Sequence, residues 1–184
     1  LIVRAAPVVV KSFSPTVVAQ NAASLLTIAL TNPNSTDMTG VSFSDAYPSG
    51  LQNTATPAGA TTCPGGAVTA TAGGTSLALA TATIPANSTC LVTVNVSAAT
   101  AGSYLNVFAA GGLTTAADGT NANSSSATLI VLAPPTVSKS FSPTGVATNA
   151  DSLLTITLTN PNTTAVTGAA FTDTYPSVNL VNSP

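Results

Sequence analysis

The chain has 184 residues, of which three are basic and five are acidic, and it contains no Glu, His or Trp. Because three cationic residues cannot form a patch that neutralises phosphates, we expect no nucleic-acid partner. Without His or Glu the usual acid–base and nucleophile–base pairs cannot be assembled, so we expect no enzyme and no cofactor. No apolar run is long enough to cross a bilayer, and no transmembrane segment is predicted.

Apolar residues alternate with a period of two along the chain, and Val, Ile and Thr are abundant. Leu26, Ile28 and Leu30, for example, point to one side while the residues between them point to the other. Short strands separated by Pro, Gly and Asn turns, with no helical stretch, predict an all-β immunoglobulin-like β-sandwich. We expect strands near residues 8–13, 24–32, 39–47, 67–72, 76–83, 90–97, 103–109 and 126–132.

The sequence repeats itself at an offset of 128 residues. Positions 7–49 and 135–177 share 30 identities in 43 places without a gap. We therefore predict a tandem array, divided into the tail of a preceding repeat (1–6), a complete repeat (7–134) and a partial second repeat (135–184). The joint Ala133-Pro134-Pro135 is short and proline-bound, so successive repeats should form a semi-rigid rod.

The partial second repeat has two interpretations. The chain is either an excerpt of a longer array, which we favour, or a mature subunit whose open repeat is completed by a strand from a neighbouring copy. The second interpretation describes a polymer-forming protein. In both, the expected partners are copies of the chain itself or neighbouring repeats.

The two cysteines, Cys63 and Cys90, both lie in the complete repeat. A disulfide between them is the simplest interpretation, and it would stabilise the fold by roughly 3 kcal/mol on a chain-entropy argument. The alternative is two reduced thiols. Metal binding by two cysteines without His is improbable, and no metal site is predicted. An oxidised pair would indicate an oxidising, extracellular compartment.

Two charged residues recur at equivalent places in both repeats, Lys11 with Lys139 and Asp45 with Asp173. Strand alternation puts Lys11 and Asp45 on the same faces as aromatic and aliphatic neighbours. The same alternation turns Asn106 inward. A lysine, a carboxylic acid and an asparagine should therefore lie in or at the edge of the apolar core.

These three residue types are the parts needed for a spontaneous isopeptide bond. Burial favours the neutral amine and the protonated acid, which makes the lysine a nucleophile, Asp45 a proton carrier and Asn106 the acceptor, with Asn32 as second choice. The alternative that we favour is a buried ion pair between Lys11 and Asp45. A third interpretation has the lysine amine extend to solvent past the strand edge.

The motifs KSFSP, LLTITLTNPN and TGxxFxDxYP, followed by IPANSTCLVTVNV, resemble a conserved repeat domain of unknown function in bacterial cell-surface proteins. The resemblance implies an extracellular β-sandwich in tandem, with a structural or adhesive role and no established catalysis. We expect a structural module of a surface stalk, fibre or filament. The alternative is an adhesin or carbohydrate-binding module that uses loops 50–66 and 111–125, where a calcium site at Asp118 is only faintly indicated.

Overall fold

The computed structural model describes residues 4–176 and 180–182, so the predicted tail 1–6 is described only from residue 4. The chain divides into two compact units, Leu1–Leu132 and Ala133–Pro184. The described residues contain strands and no helix, and hence none that is long and apolar enough to cross a membrane. The strands of the first unit are Val8–Ser14 (β1), Val17–Ala19 (β2), Ser24–Thr31 (β3), Met38–Ala46 (β4), Leu51–Asn53 (β5), Ala60–Thr61 (β6), Ala67–Thr69 (β7), Ser76–Ile84 (β8), Thr89–Ala98 (β9), Gly102–Phe108 (β10), Leu113–Thr114 (β11) and Ser125–Leu132 (β12).

The first unit is an immunoglobulin-like β-sandwich, as predicted. Its five-stranded sheet has the order β1-β3-β9-β5, with β6 also paired to β9. A four-stranded sheet has the order β11-β4-β8-β7, and a three-stranded sheet has the order β10-β12-β2. The pairing of β2 with β12 is parallel, whereas the other pairs are antiparallel.

One hydrophobic cluster fills the space between these sheets. The inward residues alternate along each long strand, as the sequence predicts, so that Leu26, Ile28 and Leu30 of β3 are fully buried. Strand β9 contributes Val92, Val94 and Val96 in the same way. All eight predicted strands are present, and their predicted ends lie within a few residues of the observed ones.

Strand β4 contains an irregularity that simple alternation does not predict. Met38 and Val41 are both buried although they are three positions apart, because the register with β8 shifts between them. Gly40 lies at this shift with φ of 65°. A β-bulge of this kind inserts one residue and turns the strand, which brings Val41, Phe43 and Asp45 onto the inner face.

Replacing Gly40 by alanine should destabilise the first unit by about 1 to 2 kcal/mol, because a left-handed backbone is strained with a Cβ. The added Cβ would also lie 3.1 Å from the Ala116 Cβ. Gly73 is the matched control, since it has φ of 68° but no atom within 4 Å of its Cβ position. Denaturant unfolding should show a larger loss for Gly40→Ala than for Gly73→Ala. Equal losses would show that the contact with Ala116 is unimportant.

The two segments expected to form loops contain short strands. Within 50–66, β5 and β6 both pair with β9, and within 111–125, β11 pairs with β4. These strands are two or three residues long, too short to show an alternation in sequence. Both segments are therefore attached to the sandwich by backbone hydrogen bonds.

The described residues of the second unit, 133–176 and 180–182, include two strands, Thr136–Ser142 (β13) and Leu153–Thr159 (β14), which form an antiparallel pair. Their register repeats that of β1 and β3, since Lys139 faces Ile156 as Lys11 faces Ile28. Most of its described side chains are exposed. The repeated sequence thus forms the same hairpin in both units.

Candidate functional site

The structure brings Lys11, Asp45 and Asn106 together inside the first unit. The Lys11 Nζ atom donates a hydrogen bond to Asp45 Oδ1 at 2.6 Å, and Asn106 Nδ2 donates to Asp45 Oδ2 at 3.0 Å. The three residues belong to β1, β4 and β10, which lie in three different sheets. One carboxylate therefore connects an amine and a carboxamide from separate parts of the sandwich.

This cluster is shielded from water. The side chains of Lys11 and Asp45 are 0% and 1% exposed, and Asn106 is fully buried. The alternative in which the Lys11 amine extends to solvent is therefore wrong. Strand alternation aims the lysine inward from β1, where its backbone N–H also donates to Ser125 Oγ on β12 at 2.9 Å.

Two aromatic rings form an apolar wall beside the amine. Lys11 Nζ lies 5.9 Å from the ring centroid of Phe108, which is within the range of a cation–π contact. Phe43 packs edge-on against Phe108, with ring centroids 5.2 Å apart. These rings take the place of water around the ion pair and lower the local dielectric.

Burial changes the proton affinity of both charged partners. Desolvation lowers the pKa of Lys11, and the hydrogen bond and charge of Asp45 oppose this shift. Desolvation raises the pKa of Asp45, while Lys11 and the hydrogen bond from Asn106 oppose it. Both shifts favour transfer of a proton from the amine to the carboxylate, which would leave a neutral pair.

The Asn106 carboxamide is only half satisfied. Its Oδ1 atom is the buried side-chain polar atom that lacks a hydrogen-bond partner among the residues described by the structure. A buried, unpaired polar atom is costly, typically about 1–3 kcal/mol. The Asn106 carbonyl thus lacks the donor that a purely structural asparagine would normally have.

The equivalent pair in the second unit differs in its surroundings. Lys139 Nζ contacts both carboxylate oxygens of Asp173 at 2.8 Å, but their side chains are 36% and 25% exposed. The prediction of a buried pair is therefore wrong at this position. In the first unit, β10 and β12 lie beside the pair, since Asn106 of β10 donates to Asp45 and Ser125 of β12 accepts from the Lys11 backbone N–H.

A disulfide joins Cys63 to Cys90, as predicted, with their Cα atoms 5.0 Å apart and a sequence separation of 27. Both residues are buried at the edge of the core, Cys90 on β9 and Cys63 just after β6. The bond fixes the segment 50–66 to the five-stranded sheet. The described residues contain no free cysteine.

Buried polar contacts also occur where sequence reasoning found none. Asn53 is fully buried; its Oδ1 accepts a hydrogen bond from Tyr47 at 2.9 Å, and its Nδ2 donates to the backbone carbonyls of Thr71 and Ser76. Burial raises the pKa of the Tyr47 hydroxyl. Leu51 and Gln52 follow the apolar-polar order of a strand. This strand, β5, has only three residues, which is too few to be recognised from the sequence.

Asparagine 32, the second-choice acceptor, has a different role. Its Nδ2 donates to the backbone carbonyls of Thr36 and Ile84, and its Oδ1 accepts from the Asn34 backbone N–H. It therefore holds the turn that follows β3.

Asp118, suggested for calcium, instead accepts a hydrogen bond from Arg4 at 2.7 Å. No three His, Cys, Asp or Glu side chains gather as a metal site within residues 4–176 and 180–182.

The fold and this site define a class: immunoglobulin-like β-sandwich modules whose core contains a disulfide and a buried polar cluster. The chain belongs to the family described as a domain of unknown function, DUF7933, which matches residues 7–131 and again residues 135–184. Each match falls within one of the two units. No curated protein matches the chain.

Among solved structures, the chain is similar to a non-cellulosomal cohesin from the archaeon Archaeoglobus fulgidus, with 11% identity and a TM-score of 0.48. That match covers 70% of this chain and 92% of the cohesin. It is also similar to the collagen-binding domain of a Staphylococcus aureus adhesin, with 12% identity and a TM-score of 0.42. Here the coverage is 71% of this chain and 99% of the adhesin domain.

Proposed function

We propose that the chain is a structural module of an extracellular bacterial surface stalk, fibre or filament, in which family repeats follow one another along the polypeptide. The observation that carries this proposal is the double tie inside the first unit, a disulfide and a buried Lys–Asp–Asn cluster. Ties of this kind hold strands together against extension and proteolysis. They require no ligand and no catalysis.

The position of the buried polar cluster supports a mechanical role. The polar cluster joins β1, the first strand of the unit, to β10, close to its last strand. A force applied along the chain would enter at one of these strands and leave near the other. The expected partners in the assembly are therefore neighbouring repeats or further copies of the chain.

The adhesive alternative receives less support from the same structure. The segments 50–66 and 111–125 contain no aromatic residue that could stack on a sugar. Tyr47 and Tyr104 are buried in the core, where the hydroxyl of Tyr104 donates to the Thr100 carbonyl. Both segments are also attached by β-pairing, and the first of them by the disulfide.

Immunogold electron microscopy of intact producing cells tests this proposal. Antibody raised against the chain should label extended structures outside the cell envelope without permeabilisation. Labelling that appears only after permeabilisation would overturn the extracellular role. Label confined to points of contact with a host surface or glycan-coated bead would instead indicate the adhesive function.

A further inference from the structure

We propose that the first unit forms an intramolecular amide bond between Lys11 Nζ and Asn106 Cγ, with Asp45 carrying the proton and ammonia leaving. The carrying observation is that one buried carboxylate bridges the two reacting groups. Its Oδ1 is 2.6 Å from the amine, and its Oδ2 is 3.0 Å from the amide nitrogen. This inference goes beyond the structural role proposed above and does not depend on it.

The first step is a proton transfer within the ion pair. The ammonium of Lys11 gives one proton to Asp45 Oδ1 along the existing hydrogen bond, and both groups become neutral. The apolar wall of Phe43 and Phe108 favours this neutral state, since charges are poorly stabilised in a low dielectric. The amine then has a lone pair and is a nucleophile.

The second step is attack on the Asn106 carbonyl carbon. The Lys11 Nζ lone pair forms the new C–N bond, and the C=O π electrons move onto Oδ1. This oxygen is buried without a hydrogen-bond partner, so its lone pairs are free to accept a hydrogen bond as its charge develops. Asp45, now a carboxylic acid, can donate that hydrogen bond and keeps its proton for the leaving nitrogen.

The third step releases ammonia. The Asp45 carboxyl group turns about its Cβ–Cγ bond so that its proton, received on Oδ1, reaches the Asn106 Nδ2 atom, which already lies at hydrogen-bond distance from the carboxyl group. The C–N bond to Nδ2 then breaks, and Nζ gives its remaining surplus proton to Asp45 and onward to the leaving ammonia. In the overall reaction, the Asn106 primary amide and the Lys11 ammonium give a secondary amide and a free ammonium ion. No oxidant, reductant or metal is needed.

The contacts distinguish this arrangement from an ordinary ion pair. A structural asparagine in the core would be expected to pair its carbonyl as well as its amide nitrogen, as Asn32 and Asn53 do in this chain. Asn106 instead directs only its leaving nitrogen to the carboxylate. The exposed pair of Lys139 and Asp173 has no such amide among its hydrogen-bond partners.

Intact mass of the reduced and denatured 184-residue chain tests the bond directly. We expect the measured mass to be lower than the sequence mass by one ammonia. An unchanged mass would overturn the proposal. In Asp45→Asn and Asn106→Ala variants the deficit should vanish, and an Asn106→Ala variant that still lost ammonia would place the chemistry elsewhere.

Trypsin provides a second readout, because the chain has only three cleavage sites, at Arg4, Lys11 and Lys139. An acylated lysine is not a trypsin site, so the denatured wild-type chain should be cut after Lys139 but not after Lys11. Lys139 is thus an internal control in the same digest. Cleavage after Lys11, even with ammonia lost, would contradict the bond and indicate cyclisation of an asparagine with its own backbone. Asp45→Asn should restore cleavage after Lys11.

Discussion

Replacing Asp45 by alanine should lower the free energy of unfolding of the first unit by about 3 to 5 kcal/mol, because Lys11 then keeps an unbonded amine that is buried without a charge partner, as in a buried ion pair that has lost one member. The change leaves the Lys11 amine enclosed without its acceptor, since the lysine side chain has no exposed surface. It also removes the hydrogen-bond acceptor of Asn106 Nδ2. Guanidinium unfolding followed by circular dichroism measures the loss.

The matched control is Asp173→Ala, which removes the same carboxylate from the equivalent pair in the second unit. Because this pair is substantially exposed, its loss should change stability by less than about 1 kcal/mol. A small effect of Asp45→Ala, similar to that of Asp173→Ala, would show that the buried cluster does not stabilise the sandwich. The comparison isolates burial, because the sequence around both pairs is nearly the same.

Replacing both Cys63 and Cys90 by serine should lower the free energy of unfolding by about 3 kcal/mol. The disulfide links residues 27 positions apart, and it thereby restricts the conformations that the unfolded chain can adopt. The segment with β5 and β6 should be affected most. It has only two short strands to attach it to β9. Hydrogen exchange of these backbone amides measures the local effect.

Reducing agent supplies the control for this second prediction. It should destabilise the wild-type chain by a similar amount and leave the double serine variant unchanged. A wild-type chain whose unfolding is unaffected by complete reduction would contradict a stabilising role for the disulfide. Loss of stability in the serine variant on reduction would point to a different effect of the reagent.

Much of the fold could be predicted because the long strands bury one face each. Alternation alone places Leu26, Ile28 and Leu30 inside, and the same rule turns Lys11 and Asp45 toward them. Position in the alternation, with the scarcity of charge, was sufficient to select Asn106 from many asparagines. The sequence could not give the distances, and the structure shows that the Lys11 amine and the Asn106 amide nitrogen both donate to the Asp45 carboxylate.

The missed features depend on contacts between distant segments. The bulge at Gly40 has no signature in the apolar pattern, because the glycine marks it only once the register with β8 is known. Asn53 is buried through Tyr47 and the segment around Thr71, which lies 18 positions away. The exposure of Lys139 shows the same principle, since two similar hairpins differ in burial according to whether other strands cover them.

Single-molecule extension of the oxidised 184-residue chain, held at its two ends, tests the central claim that the first unit is a structural module closed by an amide bond between Lys11 and Asn106. With Lys11 bonded to Asn106, only residues 7–11 and 106–131 of the first unit can extend, so this unit releases on the order of 100 Å of contour length at about 3.5 Å per residue. With the disulfide alone, the release is about 340 Å on the same scale. The account predicts the short release, and the long release would contradict it.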